Sequence, residues 1–383
     1  MNSSDPSKLG VLIFRKRLLP PSQTFVATPA RYFRRFRPVF VGLLKEQAGW
    51  NLLEPYPTIL LSQFRPSWFH RLLLKLVGRP ASAWVKAIGL YRPALVHAQF
   101  GWDGVQALHL AKALGVPLVV HFRGSDITRT DASRLYIRRR RRLYAKTQAV
   151  IAVSAFLKSR LIQDGCPHEK ILVHHDGVDT EFWQPANRAR PGRVCFVGRL
   201  VEWKGCQHLI RAAAILRGQG REIELVVVGD GPMRRRLQDL STALGLPVRF
   251  LGMLPPNRVR EQLAQSWVCC LPSTVLPDGS CEGLGNTSLE AQACGVPVIV
   301  GKSGGLPETV VDGQTGLVVD AHDQELLASA ISGLMADPAR RSKMSEAARR
   351  HVVSRFNLAV QTDRLEDLYE QLIAEHGRAK SKD

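Results

Sequence analysis

Short apolar runs alternate with longer amphipathic stretches along most of the chain. In the second half the alternation is regular. VCFVG (194–198) precedes the helical pattern CQHLIRAAAILRGQG (206–220), and LVVVGDG (225–231) precedes MRRRLQDLSTALG (233–245). VRFLG (248–252), VCCLPS (268–273), VPVIVG (296–301) and GLVVD (316–320) continue the series. Continuous apolar strands of about five residues suit a parallel sheet covered on both faces. Strand and helix in alternation predict a doubly wound α/β domain. In the first half GVLIF (10–14), ALVHAQF (94–100), PLVVHFRG (117–124) and AVIAVS (149–154) read as strands.

The segment 181–193, EFWQPANRARPGR, is polar, contains proline and lacks any period. It sets the expected boundary. Domains are expected over 1–186 and 187–355, with a last helix within 356–383 packing back on the first domain. A chain of 383 residues exceeds what one core usually serves, so two domains agree with length.

Composition is that of a globular protein, 45% hydrophobic and 22% charged. No run of 18 apolar residues predicts a membrane span, and the polar start MNSSDPSK lacks a signal peptide's apolar stretch. The seven cysteines form no C-x-x-C pair, which suits reduced thiols in a cytoplasmic protein. Charge changes the picture more. Residues 1–185 carry 28 Lys/Arg against 11 Asp/Glu, a net of +17, and the remainder 25 against 22, a net of +3. The first half is therefore expected to meet something anionic: a membrane face, a phosphorylated lipid or nucleic acid.

The candidate chemistry lies in EGLGNTSLE (282–290), after VCCLPS and before an apolar helical run. Ligands of open α/β sheets bind beyond the carboxyl ends of the strands. Gly283 and Gly285 allow close backbone approach, and the amides of a helix start attract phosphate. Glu282 stands in the loop, and Glu290 leans back toward the helix start. Carboxylates accept hydrogen bonds from hydroxyls, so two of them around a phosphate site suggest a nucleotide sugar. Against this, Thr287 and Glu290 also fit a capping box, in which Glu290 only satisfies a helix-end amide. In GRLVEWKG (198–205), Arg199 and Lys204 follow a strand and suit a pyrophosphate.

Together, GRL-x-x-x-KG, VVGDGP (227–232), E-x7-E running into SLEAQACGVPVIV, and GGLPETVVDGQTGLVV (304–319) resemble the family-4 retaining glycosyltransferases. The first half, more loosely, resembles the bacterial members that build exopolysaccharides such as colanic acid. The resemblance implies a GT-B fold, two Rossmann-like doubly wound domains facing a central cleft. It implies a nucleotide-diphosphate sugar, UDP- or GDP-linked, on the C-terminal domain. Arg199 and Lys204 would hold the pyrophosphate, Glu282 the transferred sugar and Glu290 the ribose. Gly283, Leu284, Gly285, Asn286 and Thr287 complete the donor loop. No metal or other cofactor is implied. The acceptor, a growing lipid-linked glycan, would meet the N-terminal domain at Ser22, Thr24, Arg123 and Asp126, and His121 would join Arg199, Lys204 and Glu282 as a catalytic residue.

The first half departs from the family's pattern at several places. Gln23 stands where Glu is frequent, Gln99 for a second His in VHAQFG (96–101), and Asp176 for Asn in HDGVDTEFW (175–183). Arg123 occupies the usual position of a cleft histidine, while His121 lies two residues earlier, on the same side of a strand. The role falls to one or the other. His174 and His175 would diverge on a strand and make no metal pair.

Five consecutive arginines (138–142), SWFHRLLLKLVG (67–78) and YFRRFRP (32–38) mix bases with apolar residues. They suit the anionic inner face of a membrane, with the protein peripheral on its cytoplasmic side. No zinc-finger or RNP-like motif accompanies the charge, so nucleic acid is not the expected partner. The rivals are a cytoplasmic transferase making a soluble glycoside or glucan, and a nucleic-acid-binding protein using the basic half.

Overall fold

The computed structural model describes residues 7–20, 23–46, 52–186 and 189–380. The chain forms two compact units, one of residues 1–177 with 358–383 and one of residues 178–357.

Among the described residues the first unit contains seven strands: β1 (Gly10–Leu18), β2 (Arg37–Lys45), β3 (Thr58–Leu60), β4 (Pro93–Ala98), β5 (Leu118–Phe122), β6 (Ala149–Ala152) and β7 (Ile171–Val173). The second contains six: β8 (Arg193–Val197), β9 (Glu224–Val228), β10 (Val248–Gly252), β11 (Val268–Leu271), β12 (Val298–Gly301) and β13 (Gly316–Val319). The sheet orders are β3-β2-β1-β4-β5-β6-β7 and β10-β9-β8-β11-β12-β13. Every pairing is parallel. Both orders place the first strand of the unit centrally and reverse beside it, the Rossmann arrangement with its switch point. The apolar runs of the central strands, Val11–Phe14 in β1, Leu95–Val96 in β4 and Val194–Val197 in β8, are buried, as continuous Val/Ile/Leu runs require.

The boundary lies earlier than composition suggested. Val178 bridges Asn357, and Arg349 donates to the carbonyls of Trp183 (2.7 Å) and Thr180 (3.0 Å). Arg260 covers the Phe182 ring at 4.8 Å. The segment 178–183 is therefore tied to the second unit before its irregular composition begins.

The last helix, Leu358–Lys380, belongs to the first unit. Its Tyr369 ring meets Phe33 and Phe36 edge-on at 6.2 and 5.9 Å. Glu366 accepts from the amides of Arg34 (3.1 Å), Arg35 (2.9 Å) and Phe36 (3.0 Å). Arg35 pairs with Asp367 and Glu370 of the same helix. This corrects the membrane expectation for 32–38: its phenylalanines are core, and Arg35 is committed to the helix.

Candidate functional site

In the second unit, β8 and β11 lie side by side, and the loops after them carry the predicted charges. Lys204 Nζ lies 2.6 Å from Glu282 Oε1. Ser273 Oγ donates to the same oxygen at 2.9 Å. Glu282 is buried at 7% exposure, so the two bonds fix its carboxylate. The loops meet at van der Waals distance. A Cβ on Gly205 would lie 1.7 Å from the Pro272 carbonyl oxygen, and one on Gly304 would lie 2.0 Å from that of Glu282. Trp203 sits between the two cations. The Arg199 guanidinium lies 5.9 Å and Lys204 Nζ 4.7 Å from its ring centroid. Arg199 is exposed and forms no ion pair among the described residues.

The helix Asn286–Ala293 starts beside this pair, with Gly285 at φ 109 before it and no side chain capping its first turn. Thr287 is inside the helix and Leu284 is core. The capping-box alternative therefore fails: Thr287 is not at the N-cap, and Glu290 has no cap to complete. Glu290 accepts no side-chain hydrogen bond among the described residues. Burial pushes its carboxyl up to about 8 while Lys204 opposes the rise. The helix is held in place from behind. Gln292 Nε2 donates to the Thr309 carbonyl at 2.8 Å, and the Ser288 and Thr309 hydroxyls lie 2.8 Å apart.

In the first unit the carboxyl ends of β4 and β5 carry a histidine cluster. The rings of His97 and His121 stack at 5.4 Å, and His174 meets His121 edge-on at 6.5 Å. His97 Nδ1 is 2.7 Å from Tyr369 Oη. Burial holds all three well below the ordinary histidine range, His174 at about 4. They are neutral at pH 7. His121 and Arg123 share a side, as strand alternation predicts, with Arg123 Nη2 3.3 Å from His121 Nδ1. Arginine only donates, so Nδ1 accepts and the ring proton sits on Nε2. Nε2 is buried without a partner among the described residues.

Arg123 also pairs with Asp176 at 2.5 Å and donates to Gln99 Oε1 at 2.9 Å. The departures Gln99, Arg123 and Asp176 are thus one bonded group. A cavity of about 40 Å³ opens beside His97, His121, His174, Arg123, Asp176 and Tyr369. His174 and His175 follow the end of β7 and both line this cavity, instead of diverging along a strand.

One acceptor-side expectation changes. Asp126 is 1% exposed and accepts from the amides of Gly101 (2.8 Å), Arg123 (3.1 Å) and Gly124 (3.0 Å). Its carboxylate is consumed in shaping the turn after β5, so it has little left to offer a substrate. Thr24 begins the short helix Thr24–Ala27, where its carbonyl accepts from Thr28 Oγ1 at 2.7 Å. Ser22 lies outside the described residues.

Sequence reasoning missed Trp203, Ser273 and Tyr369. Trp203 was in view inside GRLVEWKG, whereas no local signal joins Tyr369 to His97 across 272 positions. Among the described residues, no three His, Cys, Asp or Glu side chains are grouped as metal ligands.

The family model described as Glycosyl transferases group 1 matches residues 178–351, and that described as Glycosyltransferase Family 4 matches residues 23–182. AmsK of Erwinia amylovora, an amylovoran biosynthesis glycosyltransferase, is 30% identical over 285 residues, 73% of this chain and 70% of AmsK. A GDP-mannose-dependent alpha-(1-6)-phosphatidylinositol monomannoside mannosyltransferase of Mycolicibacterium smegmatis is 35% identical over 243 residues, 60% of this chain. The match spans 63% of that relative's own length, under two thirds. HepE of Anabaena, solved with UDP and with UDP-glucose, shares the fold at a TM-score of 0.78 and 23% identity, covering 95% of this chain and 100% of HepE. The two Rossmann-like units, their motifs and these matches place the chain in one family: it belongs to the group 1, family-4 glycosyltransferases of the GT-B fold.

Proposed function

We propose that the protein transfers a sugar, with retention, from a UDP- or GDP-linked donor to a growing lipid-linked glycan, while peripheral on the anionic inner face of a membrane. The observation that carries this reading is the fixed pair of Lys204 with Glu282 at 2.6 Å, beside a helix start without a side-chain cap and a Glu290 carboxyl pushed up by burial.

In this reading Arg199, Lys204 and the first amides of Asn286–Ala293 bind the diphosphate. The backbone from Gly283 to Thr287 lies along it. Glu290 accepts from the ribose hydroxyls, and Glu282, oriented by Lys204 and Ser273, accepts from hydroxyls of the transferred sugar. The acceptor oxygen attacks the anomeric carbon as the bond from that carbon to the diphosphate oxygen breaks. The electron pair leaves on the diphosphate, where the cations stabilise it. The acceptor's proton passes to the departing phosphate oxygen. No metal or other cofactor takes part in this scheme. On the acceptor side, His121 serves as a neutral Nε2–H donor, because Arg123 occupies its other nitrogen.

The choice of base draws on both named relatives, one GDP-mannose-dependent and one solved with UDP-glucose. Calorimetric titration with UDP- and GDP-sugars, followed by product analysis, tests the reading. Tight binding of one series supports it, and no binding of either removes it.

A further inference from the structure

We propose that two helices of the first unit form a bipartite docking surface for a bilayer containing anionic headgroups. In it the outer ridge of Ser67–Leu76 enters the acyl boundary and the exposed arginines of Arg134–Lys146 hold headgroup phosphates. The proposal deepens, and rests on, the peripheral-membrane part of the reading above.

A surface helix normally turns its apolar arc to the core. Ser67–Leu76 does the opposite. Leu74 is its one fully buried residue, while Trp68 is 64% and Leu76 65% exposed, with Val77 just beyond at 70%. At 3.6 residues per turn, Trp68, Phe69, Leu72 and Leu76 share roughly 100° of the outer face. Arg71 and Lys75 flank that arc on one side. A contiguous exposed apolar ridge with a basic border is the pattern of a helix lying in a membrane interface. The ridge is held firmly: Gly78, at φ +70, follows the helix, and a Cβ there would lie 2.3 Å from the His109 ring.

The second helix supplies the charge. Arg139 Nη2 donates to the Lys75 carbonyl at 3.2 Å, which joins the two helices. Arg134, Arg138, Arg141 and Arg142 line one shallow depression on the outer face. Arg140 is different. It is 4% exposed and bonded to Asp164 (2.6 Å) and to the Asp126 carbonyl (3.0 Å), so it is structural. Neither helix carries an acidic residue. A second copy would bring like charge against like charge. A nucleic acid would meet the arginines but leave the apolar ridge in water. A bilayer with anionic lipid satisfies both parts.

The test is sedimentation of the full chain with phosphatidylcholine vesicles, with and without phosphatidylglycerol, at low and high salt. Wild type should prefer the anionic vesicles at least tenfold and keep a bound fraction at high salt. R138Q/R141Q/R142Q, which spares Arg140, should bind them about a hundredfold more weakly, near a factor of five for each residue. W68S/L76S should lose the salt-resistant fraction. Equal pelleting with both vesicle types, no pelleting at low salt, or variants that behave as wild type would overturn the proposal. So would a dimer that W68S/L76S dissolves, or RNA that binds in preference to the vesicles. Nucleotide-sugar titration of the same samples separates the two claims: lost donor binding with this vesicle pattern intact sinks the catalytic reading and leaves the surface standing.

Discussion

The two units share a strand order but treat charge at the carboxyl ends of their strands in opposite ways. In the first unit the charges are mutually spent. Arg15 donates to both Asp103 oxygens at 3.0 and 2.9 Å, Arg123 is taken by Asp176 and Gln99, and Asp126 by amides. Burial raises Asp103 to about 6, with Arg15 opposing. In the second unit the fully buried arginine, Arg193, pairs with Glu224 at the opposite, amino edge of the sheet. The carboxyl edge keeps an exposed Arg199 and a Glu290 that has no side-chain hydrogen bond among the described residues. A buried charge persists when it is paired, and burial without a pair holds the Glu290 carboxyl up at about 8. The difference teaches that, on the function proposed above, the second unit keeps groups for an outside polyanion with hydroxyls, while the first presents a wall whose charges are already paired.

Four outcomes would break or sharpen this comparison. The largest concerns the first unit. Arg123→Met removes the cation beside Asp176 and the donor to Gln99 Oε1, and should cost about 3 kcal/mol in chemical unfolding. R123M/D176N should recover much of it. Wild-type stability in R123M would mean that the wall is not held by this pair.

Next, Arg199→Ala and Lys204→Ala should each slow turnover about a hundredfold, a barrier rise of ~3 kcal/mol. They should differ in melting temperature. Lys204→Ala strands the buried Glu282 and lowers it, whereas exposed Arg199→Ala leaves it unchanged. Near wild-type turnover in both would end the pyrophosphate assignment.

A smaller effect separates the units by pH. The histidines are depressed from 6.5 in the folded state, so below 6.5 the unfolded chain takes up protons that the fold refuses. Stability of the first unit should fall as pH drops from 6.5 toward about 4. Glu290 is raised from 4.5 to about 8, so the fold holds a proton that the unfolded chain releases. Stability of the second unit should fall as pH rises across that window. In differential calorimetry, Glu290→Gln should remove the alkaline loss and leave the acid loss intact. An unchanged alkaline slope would show that burial does not govern Glu290.

Much of this was legible before the structure. The second half's strands run as continuous apolar blocks, and its motif residues lie close in sequence to strand ends, so β8 to β13 and the placing of Lys204 and Glu282 at loops after strands followed from pattern, while their ion pair did not. The first half was harder for physical reasons. β3 and β7 have three residues each, too short for a period. β2 was hidden because Phe33, Phe36 and the neighbouring arginines look amphipathic, yet their partners lie on a helix some 330 residues away. Long-range pairing also decided the roles of Asp126, Arg140 and Tyr369. The five arginines look alike in sequence, and only the position of Asp164 picks out Arg140 as structural.

The central claim is that Glu290 and its helix start receive the donor's nucleotide. Titrating wild type and Glu290→Gln with UDP- and GDP-sugars, with melting curves on the same samples, tests it most directly. The account predicts that wild type binds one nucleotide series. Glu290→Gln should bind it about tenfold more weakly, about the worth of one hydrogen bond to the carboxyl, while remaining at least as thermally stable as wild type. Equal affinity in the two proteins, or no binding of either series to wild type, would contradict it.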